Sequence, residues 1–348
     1  MRVVICPDFR ATNPYQELLA TAVSRQSITV LWGGYGRFAL LKTLRQKPDL
    51  IHLHWTAPFW LDAHLQRSRL AALRFLAEIL WIKQQGLKIV WTIHNLQDHE
   101  RTNPPLEHRV NQQLCHLANQ VIVPCRATAK SIRKTYRLPE TFRPKMNIIG
   151  HGNFIGIYDN TMTQAAARQR LNLPLDALVF LFFGQIRSYK RVVELIQAFC
   201  QLEQKRAHLL IAGQPANPTI TEALRHAHGN HPRIHLYLAF IPDIDIQQFM
   251  NAANMVVLPF ADIAASSSII LALSFGKAIM TPSLGCLPEI LDTHGCLFYN
   301  PAQETLLSVL QKSVTADWQS MGQHNLALAR QMDWDDIGQQ TVEVYRQA

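Results

Sequence analysis

Short apolar runs alternate along the 348 residues with longer segments in which apolar residues recur every three or four positions. Runs of the first kind are typical of strands buried on both faces of a parallel sheet, and segments of the second kind are typical of covering helices. The pattern therefore predicts an α/β fold. The predicted strands are Val3–Cys6, Ile28–Leu31, Leu50–His54, Lys88–Ile93, Gln120–Pro124, Asn147–Ile149, Val179–Phe183, His208–Ala212, Ile234–Tyr237, Met255–Leu258, Ala278–Thr281 and Cys296–Phe298.

The alternation is interrupted between Gly150 and Thr163, where glycine and asparagine replace the apolar periodicity. This composition is typical of a connection between domains. We therefore predict two doubly wound, Rossmann-like domains, at 1–155 and 156–325, with the carboxyl ends of both sheets lining a cleft. The last segment, 326–348, is predicted to be a helix that packs back on the first domain.

The net charge of +9 is concentrated in the first half of the chain. Residues 1–158 contain 21 Lys and Arg against 9 Asp and Glu, and the densest basic run extends from Arg126 to Lys145. Such a surface suits an anionic membrane leaflet or nucleic acid, and a solvated basic face with no partner stays an open alternative. Because the second half has no basic excess, we expect a membrane surface and no nucleic acid.

The first residues predict a short strand, and their apolar run is too brief for a signal peptide. No uninterrupted apolar run reaches the roughly 18 residues that a membrane-spanning helix needs. We therefore expect a cytoplasmic protein, with peripheral attachment to the inner face of the plasma membrane as the consequence of its basic half.

The strand Val179–Phe183 ends in a turn that carries two cations. Arg187 and Lys190 follow Gly184 and precede a predicted helix. The carboxyl end of a parallel strand and the opening turn of a helix are both favourable places for phosphate. An isolated Arg-x-x-Lys is more often a pair of solvated loop residues, and that alternative stays open on these residues alone.

A second polar turn follows the strand Met255–Leu258. Three serines, Ser266 to Ser268, open an apolar helix that ends before Gly276. Serines at this position can offer hydroxyl and N–H groups to an anion, or they can serve as an ordinary helix cap. Two further turns at the same sheet edge add candidates. The predicted ligand-binding residues of this edge are Gly184, Arg187, Lys190, Gly213, Ser266, Ser267, Ser268 and Glu289.

Three segments, Gly184–Lys190, Pro259–Gly276 and Pro282–Glu289, resemble the donor half of GT-B glycosyltransferases. The resemblance implies a GT-B fold in which Arg187 and Lys190 bind the diphosphate of a nucleotide sugar. It also implies that the serine helix contacts ribose and phosphate. The nucleotide sugar would be a co-substrate, and no cofactor is expected.

The first half, in Asp8–Gln16, His52–Trp55 and Trp91–Glu100, resembles a subgroup that makes bacterial exopolysaccharide. The subgroup includes the xanthan-type β-mannosyltransferases and is related to the large retaining family 4-like group. The resemblance implies transfer of a hexose, mannose from GDP-mannose, to a lipid-linked oligosaccharide. The acceptor-binding residues that it implies are Asn13, Tyr15, His54 and Trp55.

One departure from the related retaining enzymes concerns two glutamates that they carry eight positions apart around the serine helix. Ile263 and Leu271 stand at those positions when the segments are aligned on Gly276. Neither side chain can hydrogen-bond a sugar hydroxyl. An inverting displacement is therefore the expected mechanism, and a retaining transferase that uses UDP-glucose or another UDP-sugar is the alternative.

An inverting transferase needs a base that accepts the proton of the attacking hydroxyl. The segment after the strand Lys88–Ile93 supplies an imidazole and then carboxylates. We predict Glu100 as the base, with Asp98 and Asp8 as weaker candidates and His94 shaping the site. The histidines are equally compatible with structural roles, and Glu100 with helix capping.

A catalytic metal is not expected. The Asp243-Ile-Asp245 motif precedes an amphipathic run and is better explained by helix capping than by metal binding. A nucleotide-sugar 2-epimerase, which shares the architecture and consumes no acceptor, remains a less favoured function.

Overall fold

The computed structural model describes residues 1–11, 13–62, 64–95, 103–263 and 266–348. These residues form two compact units. The first unit contains Met1–Gly152 together with Met332–Ala348, and the second contains Asn153–Gln331. In the described residues each unit is built around a parallel sheet of six strands.

All of the predicted strands are present, and their ends differ from the predicted ends by at most one residue. In the first unit they are β1 (Arg2–Cys6), β2 (Thr29–Trp32), β3 (Leu50–Leu53), β4 (Lys88–Thr92), β5 (Gln120–Val123) and β6 (Met146–Ile148). In the second unit they are β7 (Leu178–Phe183), β8 (Ala207–Ala212), β9 (Ile234–Tyr237), β10 (Met255–Val257), β11 (Ala278–Pro282) and β12 (Cys296–Tyr299).

Helices connect most of these strands. They are α1 (Pro14–Arg25), α2 (Ala39–Thr43), α3 (Ala57–Trp60), α4 (Leu65–Gln84), α5 (Pro104–Leu117), α6 (Arg126–Thr135), α7 (Gln164–Arg170), α8 (Val192–Cys200), α9 (Pro218–His228), α10 (Ile246–Ala252), α11 (Ser267–Ser274), α12 (Leu287–Ile290), α13 (Leu306–Ser313), α14 (Trp318–Gln331) and α15 (Trp334–Gln347). Among the described helices, none combines the length and the apolarity needed to cross a lipid bilayer.

The strand order fixes where each sheet can bind a ligand. The first sheet has the order β2-β1-β3-β4-β5-β6 and the second β12-β11-β10-β7-β8-β9, with parallel pairing throughout. The chain reverses its direction of progress between β1 and β3, and again between β7 and β10. Doubly wound sheets bind ligands beyond the carboxyl ends of the strands at such a switch point.

The core of the second unit explains the continuous apolar runs of its strands. All six residues of β7 are buried, and Phe180 and Phe182 have no exposed surface. The phenyl ring of Phe199, on the covering helix α8, contacts that of Phe180. Because both faces of β7 are covered, this strand carries no polar side chain. The polar groups of this part of the chain therefore lie beyond the end of β7.

The last helix, α15, completes the first unit. Its residues Val342 and Tyr345 are buried in one apolar cluster with Leu19 and Val23 of α1. The tail, which the pattern predicted as a continuous helix, is divided into α14 and α15. The side chain of Asp333 accepts the backbone N–H of Asp335 at 2.7 Å and so begins α15 as an N-cap.

A buried hydrogen-bond chain ties α15 to the first sheet. The hydroxyl of Tyr345 lies 2.7 Å from Nδ1 of His52. Nε2 of the same histidine lies 2.7 Å from Oγ1 of Thr92. Burial lowers the pKa of His52 to about 3, so its ring is neutral at physiological pH. A neutral imidazole with both nitrogens paired satisfies the requirement that buried polar atoms be hydrogen-bonded.

Removal of the Tyr345 hydroxyl tests this chain. Tyr345→Phe preserves the ring and leaves Nδ1 of His52 buried without its partner, so we expect a loss of about 1–3 kcal/mol in the free energy of unfolding. The matched control is Tyr35→Phe, where the ring is 61% exposed, and there we expect no measurable change. Urea denaturation followed by far-UV circular dichroism measures both, and equal stabilities would contradict the structural role of the chain.

Candidate active site

The predicted anion-binding residues flank the switch point of the second sheet. β7 ends at Phe183 and leads into the turn that carries Arg187 and Lys190. β10, the neighbour of β7, ends at Val257, and the serine helix α11 follows it in the chain. Two turns that are about 80 residues apart in the sequence thus meet at one sheet edge.

The backbone of Gly184 is the point on which the polar groups converge. Its φ of +122° lies in the region that favours glycine. A side chain at this position would begin 2.7 Å from Oγ of Ser268 and 3.5 Å from Nζ of Lys190. The glycine therefore leaves room beside a hydroxyl and an ammonium group, both of which can hydrogen-bond a phosphate oxygen.

Lys190 is a buried cation, with 7% of its surface exposed. Burial, with a contribution from the like charge of Arg187, lowers the pKa of Lys190 to about 8. The Nε of Arg187 donates to the side-chain oxygen of Gln185 at 3.1 Å. A buried ammonium close to a second cation is costly, and a bound dianion would offset that cost.

The three serines at the start of α11 do not act as an ordinary cap. Ser266 occupies the N-cap position, yet among the described residues no side-chain hydrogen bond caps this helix. Its backbone oxygen instead accepts the N–H of Ile269 at 3.1 Å. Ser267 is exposed and Ser268 is buried. The hydroxyl of Ser268 is the one placed beside Gly184 and Lys190.

The other two predicted donor residues differ in position. Gly213, which follows β8, lies directly against Gly184: a Cβ on Gly213 would stand 2.0 Å from the carbonyl oxygen of Gly184. Glu289 lies in the short helix α12 and is exposed. The structure thus brings Gly213 into the immediate surroundings of the Gly184 cluster.

The positions at which related retaining enzymes carry glutamates are apolar and buried. Ile263 and Leu271 are each 6% exposed. Leu271 lies in the middle of α11, whose residues from Ser268 to Ser274 are buried. Neither position presents a carboxylate to a bound sugar.

The residues that the resemblance implied for the acceptor meet at the switch point of the first sheet. Trp55 follows β3 and stacks on the ring of His94, which follows β4, with ring centroids 4.1 Å apart. The ring of Tyr15, from the first turn of α1, meets His94 edge-on at 5.2 Å and His54 at 5.9 Å. These four side chains form what we call the aromatic cluster.

Two histidines of the aromatic cluster are hydrogen-bonded to one another. Nδ1 of His54 lies 2.9 Å from Nε2 of His94. Burial lowers the pKa of both rings well below the usual value, so both are neutral at physiological pH. A histidine in this state is a weak proton acceptor, which suits a role in shaping the site rather than as the base.

A cavity of about 80 Å³ adjoins the aromatic cluster. Nε2 of His54 is buried and has no partner within the described part of the chain. Residues that line the cavity include His54, Trp55, Thr92, His94 and Asn111. The site thus combines aromatic faces with a buried nitrogen that a hydroxyl group could engage, a combination suited to a neutral polar ligand.

Asn13 and Asp8 have local partners. The side chain of Asn13 caps α1 by accepting the N–H of Tyr15 at 3.0 Å. Asp8 forms an ion pair with Arg10, whose Nη2 lies 2.9 Å from Oδ2 of Asp8. That hydrogen-bonded pair lowers the pKa of Asp8 and makes it a weaker base. The other predicted carboxylates, Asp98 and Glu100, lie outside the described residues.

Sequence reasoning missed two members of this neighbourhood. The ring of Tyr15 contacts those of His151 at 5.0 Å and Trp334 at 5.6 Å. His151 comes from the segment after β6 and Trp334 from the start of α15. The helix cap Asp333 marks the start of α15, but no pattern in the sequence indicates that its first residue reaches Tyr15.

Potential metal ligands occur elsewhere in the second unit. Among the described residues, Asp292, His294 and His324 place their donor atoms within 4.8 Å of one another. Nε2 of His324 lies 2.8 Å from Oδ2 of Asp292, so these groups already serve as hydrogen-bonding partners. The expectation of a metal-independent reaction stays a prediction.

Comparisons with known proteins agree with this architecture. The family model described as glycosyltransferase family 4 matches residues 3–149, and the model described as glycosyl transferases group 1 matches residues 177–312. The Anabaena HepE structure in complex with UDP and glucose has a TM-score of 0.75, with 15% identity and 99% of each chain covered. WaaG, a glycosyltransferase of lipopolysaccharide biosynthesis, has a TM-score of 0.69 with 14% identity and 99% of each chain covered. The fold defines the class as GT-B, as the resemblance implied.

Curated relatives give the same class of enzyme. GDP-mannose:glycolipid 4-beta-D-mannosyltransferase of Xanthomonas campestris pv. campestris is 27% identical over 317 residues, covering 89% of this chain and 83% of that protein. D-inositol 3-phosphate glycosyltransferase of Streptomyces scabiei is 26% identical, covering 86% of this chain and 68% of that protein. The two family models together span most of the chain, which therefore belongs to the family 4 and group 1 glycosyltransferases and is a hexosyltransferase.

The lowered pKa of Lys190 gives a pH test of the anion site. Below about pH 8 the side chain is charged and attracts a diphosphate, and above it the charge is lost. We expect the affinity for a nucleoside diphosphate to weaken by up to about tenfold per pH unit above pH 8. Lys190→Arg should flatten this profile because arginine stays charged. Isothermal titration calorimetry at constant ionic strength measures both, with Lys205→Arg as the control, and a flat profile for the unmodified protein would exclude Lys190 as the anion's partner.

Proposed function

We propose that the enzyme transfers mannose from GDP-mannose to a lipid-linked oligosaccharide in exopolysaccharide biosynthesis, with inversion and without a metal ion. The observation that carries the donor part is the convergence of Gly184, Lys190 and Ser268 at the switch point of the second sheet. The sugar and the acceptor follow from the Xanthomonas relative, whose name gives GDP-mannose and a glycolipid.

The second unit binds the nucleotide diphosphate in this proposal. The ammonium group of Lys190, the guanidinium group of Arg187 and the N-terminal end of α11 supply positive charge at one sheet edge. Hydrogen bonds to charged groups contribute about 1.5–3 kcal/mol each. Negative charge grows on the diphosphate as the glycosidic bond breaks, so the same groups stabilise the leaving group in the transition state.

The first unit binds the acceptor sugar. The rings of Tyr15 and Trp55 offer apolar faces, and the unpartnered Nε2 of His54 offers a hydrogen bond to a hydroxyl group. The acceptor hydroxyl attacks the anomeric carbon, the bond from that carbon to the diphosphate oxygen breaks, and the hydroxyl proton moves to the base. We assign the base to Glu100, ahead of Asp98 and of Asp8, whose ion pair with Arg10 weakens it.

Inversion is supported by the environment on the donor side. The buried apolar residues Ile263 and Leu271 occupy the positions where related retaining enzymes carry glutamates. A single displacement needs no such pair. The alternative, a retaining transferase that uses a UDP-sugar, would require another group to take over the contacts to the sugar ring.

Substitution of the two cations tests the donor assignment. Arg187→Ala and Lys190→Ala should each lower kcat/KM for mannosyl transfer about a hundredfold, the scale expected when one group that stabilises developing charge is removed. The control is Lys205→Ala, an exposed lysine of the same unit. A radiolabelled transfer assay with GDP-mannose and a glycolipid acceptor gives the rates. Unchanged turnover in both variants would refute the diphosphate site.

A thermal-shift panel with GDP, UDP and ADP identifies the donor base. We expect GDP to give the largest stabilisation, because a ligand that binds only the folded state raises its melting temperature. Clear preference for UDP would favour the retaining alternative. Conversion of the nucleotide sugar in the absence of any acceptor would instead indicate an epimerase.

The base assignment predicts a specific kinetic pattern. Glu100→Gln should lower kcat by about 10²–10⁴, because a carboxamide cannot accept the proton, while GDP affinity stays unchanged. Asp98→Asn should have a smaller effect. Proton NMR of the product should show the β-anomer from the α-linked donor. An α-linked product would show retention, and full activity of Glu100→Gln would remove that residue from the mechanism.

A further inference from the structure

Helix α4 of the first unit is apolar on two opposite faces. One face packs into the core through buried residues that include Phe75, Ile79 and Ile82. The other face presents large apolar side chains to solvent: Leu70 is 70% exposed, Leu73 67%, Leu80 49% and Trp81 46%. Scattered single exposed leucines need no explanation, but a contiguous row of them marks an interaction surface.

The exposed residues form one stripe along the helix. Leu70, Leu73, Ala77, Leu80 and Trp81 recur at spacings of three and four, which places them on the same side of an α-helix. The core-facing residues occupy the opposite side. The stripe from Leu70 to Trp81 is about 16 Å long at the rise of an α-helix. We call it the outer stripe of α4.

The charges around the outer stripe are positive. Arg67 and Arg69 lie at its amino end and are exposed, whereas Lys83, beyond its carboxyl end, is half-buried and donates to Oδ1 of Asn119 at 3.0 Å. The acid of this helix, Glu78, is buried, and Arg74 pairs with it at 3.2 Å. The solvent-exposed part of α4 therefore combines leucines and a tryptophan with cations and without an acidic side chain. Helices that lie in the plane of an anionic membrane surface have this combination.

The place of α4 in the fold connects the stripe with the candidate acceptor site. A helix that links parallel strands runs antiparallel to them, so α4 begins at the carboxyl edge of the first sheet. That edge carries Trp55 and His94. Phe38, which is 40% exposed, lies near the amino-terminal half of α4, since its ring centroid is 5.8 Å from the guanidinium carbon of Arg74. Exposed apolar surface thus borders the acceptor edge.

We propose that α4 is the element that docks the enzyme on an anionic lipid bilayer, with the outer stripe inserted at the level of the headgroups and Arg67 and Arg69 bound to lipid phosphates. The inference deepens the proposed function and rests on its lipid-linked acceptor. It differs from docking through the Arg126–Lys145 run, because that run supplies charge alone. Within it, Arg133 is already paired with Glu140.

A second copy of this chain fits the stripe less well than a bilayer does. Pairing two α4 helices antiparallel about a two-fold axis would bring Arg67 and Arg69 of one copy to the apolar Leu80–Trp81 end of the other, where α4 exposes no acidic side chain. Parallel pairing would place the same cations against each other. Unpaired or like charges in an interface oppose association, whereas anionic headgroups attract both arginines.

Vesicle flotation tests the proposal. The full-length protein is mixed with vesicles of phosphatidylcholine alone or of phosphatidylcholine with phosphatidylglycerol. We expect binding to the anionic vesicles, and we expect Leu70→Gln/Leu73→Gln to weaken it at least about tenfold because apolar burial is lost. The matched control is Leu175→Gln/Ile155→Gln, which changes two exposed apolar residues of the second unit. Wild-type binding by the Leu70/Leu73 variant would overturn the proposal.

The contribution of charge is measured in the same assay. Arg67→Gln and Arg69→Gln should each weaken binding about fivefold at low salt, since a cation at an anionic surface contributes about 1 kcal/mol. Neutralising four cations of the Arg126–Lys145 run serves as the comparison. If that variant loses vesicle binding while the α4 variants retain it, the docking surface is the basic run and the present assignment is wrong.

Quenching of tryptophan by brominated acyl chains reports the depth of insertion. We expect quenching in the unmodified protein that is largely lost in Trp81→Phe.

Light scattering of the free protein tests self-association. If the unmodified protein is a dimer and the Leu70/Leu73 variant is a monomer with unchanged vesicle binding, the stripe is a dimer interface instead. The GDP affinity of each variant distinguishes failure of this inference from failure of the proposed function. A variant that loses vesicle binding and keeps its GDP affinity affects the docking role of α4 alone. Absence of GDP binding in the unmodified protein would instead contradict the proposed function.

Discussion

Lys190 holds a positive charge in a place from which water is largely excluded. The surrounding residues are arranged in a way that limits the desolvation free energy of this charge. The strand before it is buried at every position, so the chain can present polar groups only where the strand ends. Gly184 at that end has no side chain, and the hydroxyl of Ser268 stands next to the space that a side chain would fill. A lysine that has lost most of its hydration is stable only if other groups replace the lost water. An anionic ligand is the simplest replacement.

The two units position their candidate residues by the same rule. Each places its candidate residues beyond the carboxyl ends of strands at a reversal of strand order or next to it. The second unit sets cations and hydroxyls there. The first sets aromatic rings and histidines that burial keeps neutral, such as His54 and His94. Neutral hydrogen-bonding groups suit a sugar, and cations suit a diphosphate. The two units therefore differ in their side chains as the charges of a sugar and a diphosphate would require.

Much of this organisation could be predicted from the sequence because it depends on local pattern. The buried strands were predictable because short continuous apolar runs are typical of strands that are buried on both faces of a sheet. The turn at Gly184 was predictable because it follows such a run. The contacts made by distant segments were not. The approach of Trp334 to Tyr15 joins residues from the two ends of the chain, and the pairing of His54 with His94 depends on strand neighbours. The apolar periodicity of the sequence does not indicate which aromatic side chains contact one another. The exposed stripe of α4 was also missed, because the same leucines are equally compatible with a helix buried on all sides.

The return of α15 to the first unit has a consequence for synthesis. The chain leaves that unit at Gly152 and re-enters it at Met332, so the ribosome makes all of the second unit before the segment that closes the first. Until α15 has been synthesised, the apolar surface of α1 that Tyr345 and Val342 will cover stays exposed to solvent. The second unit, whose residues are contiguous, can fold earlier although it is translated later. Maturation of the amino-terminal half is thereby coupled to translation of α15.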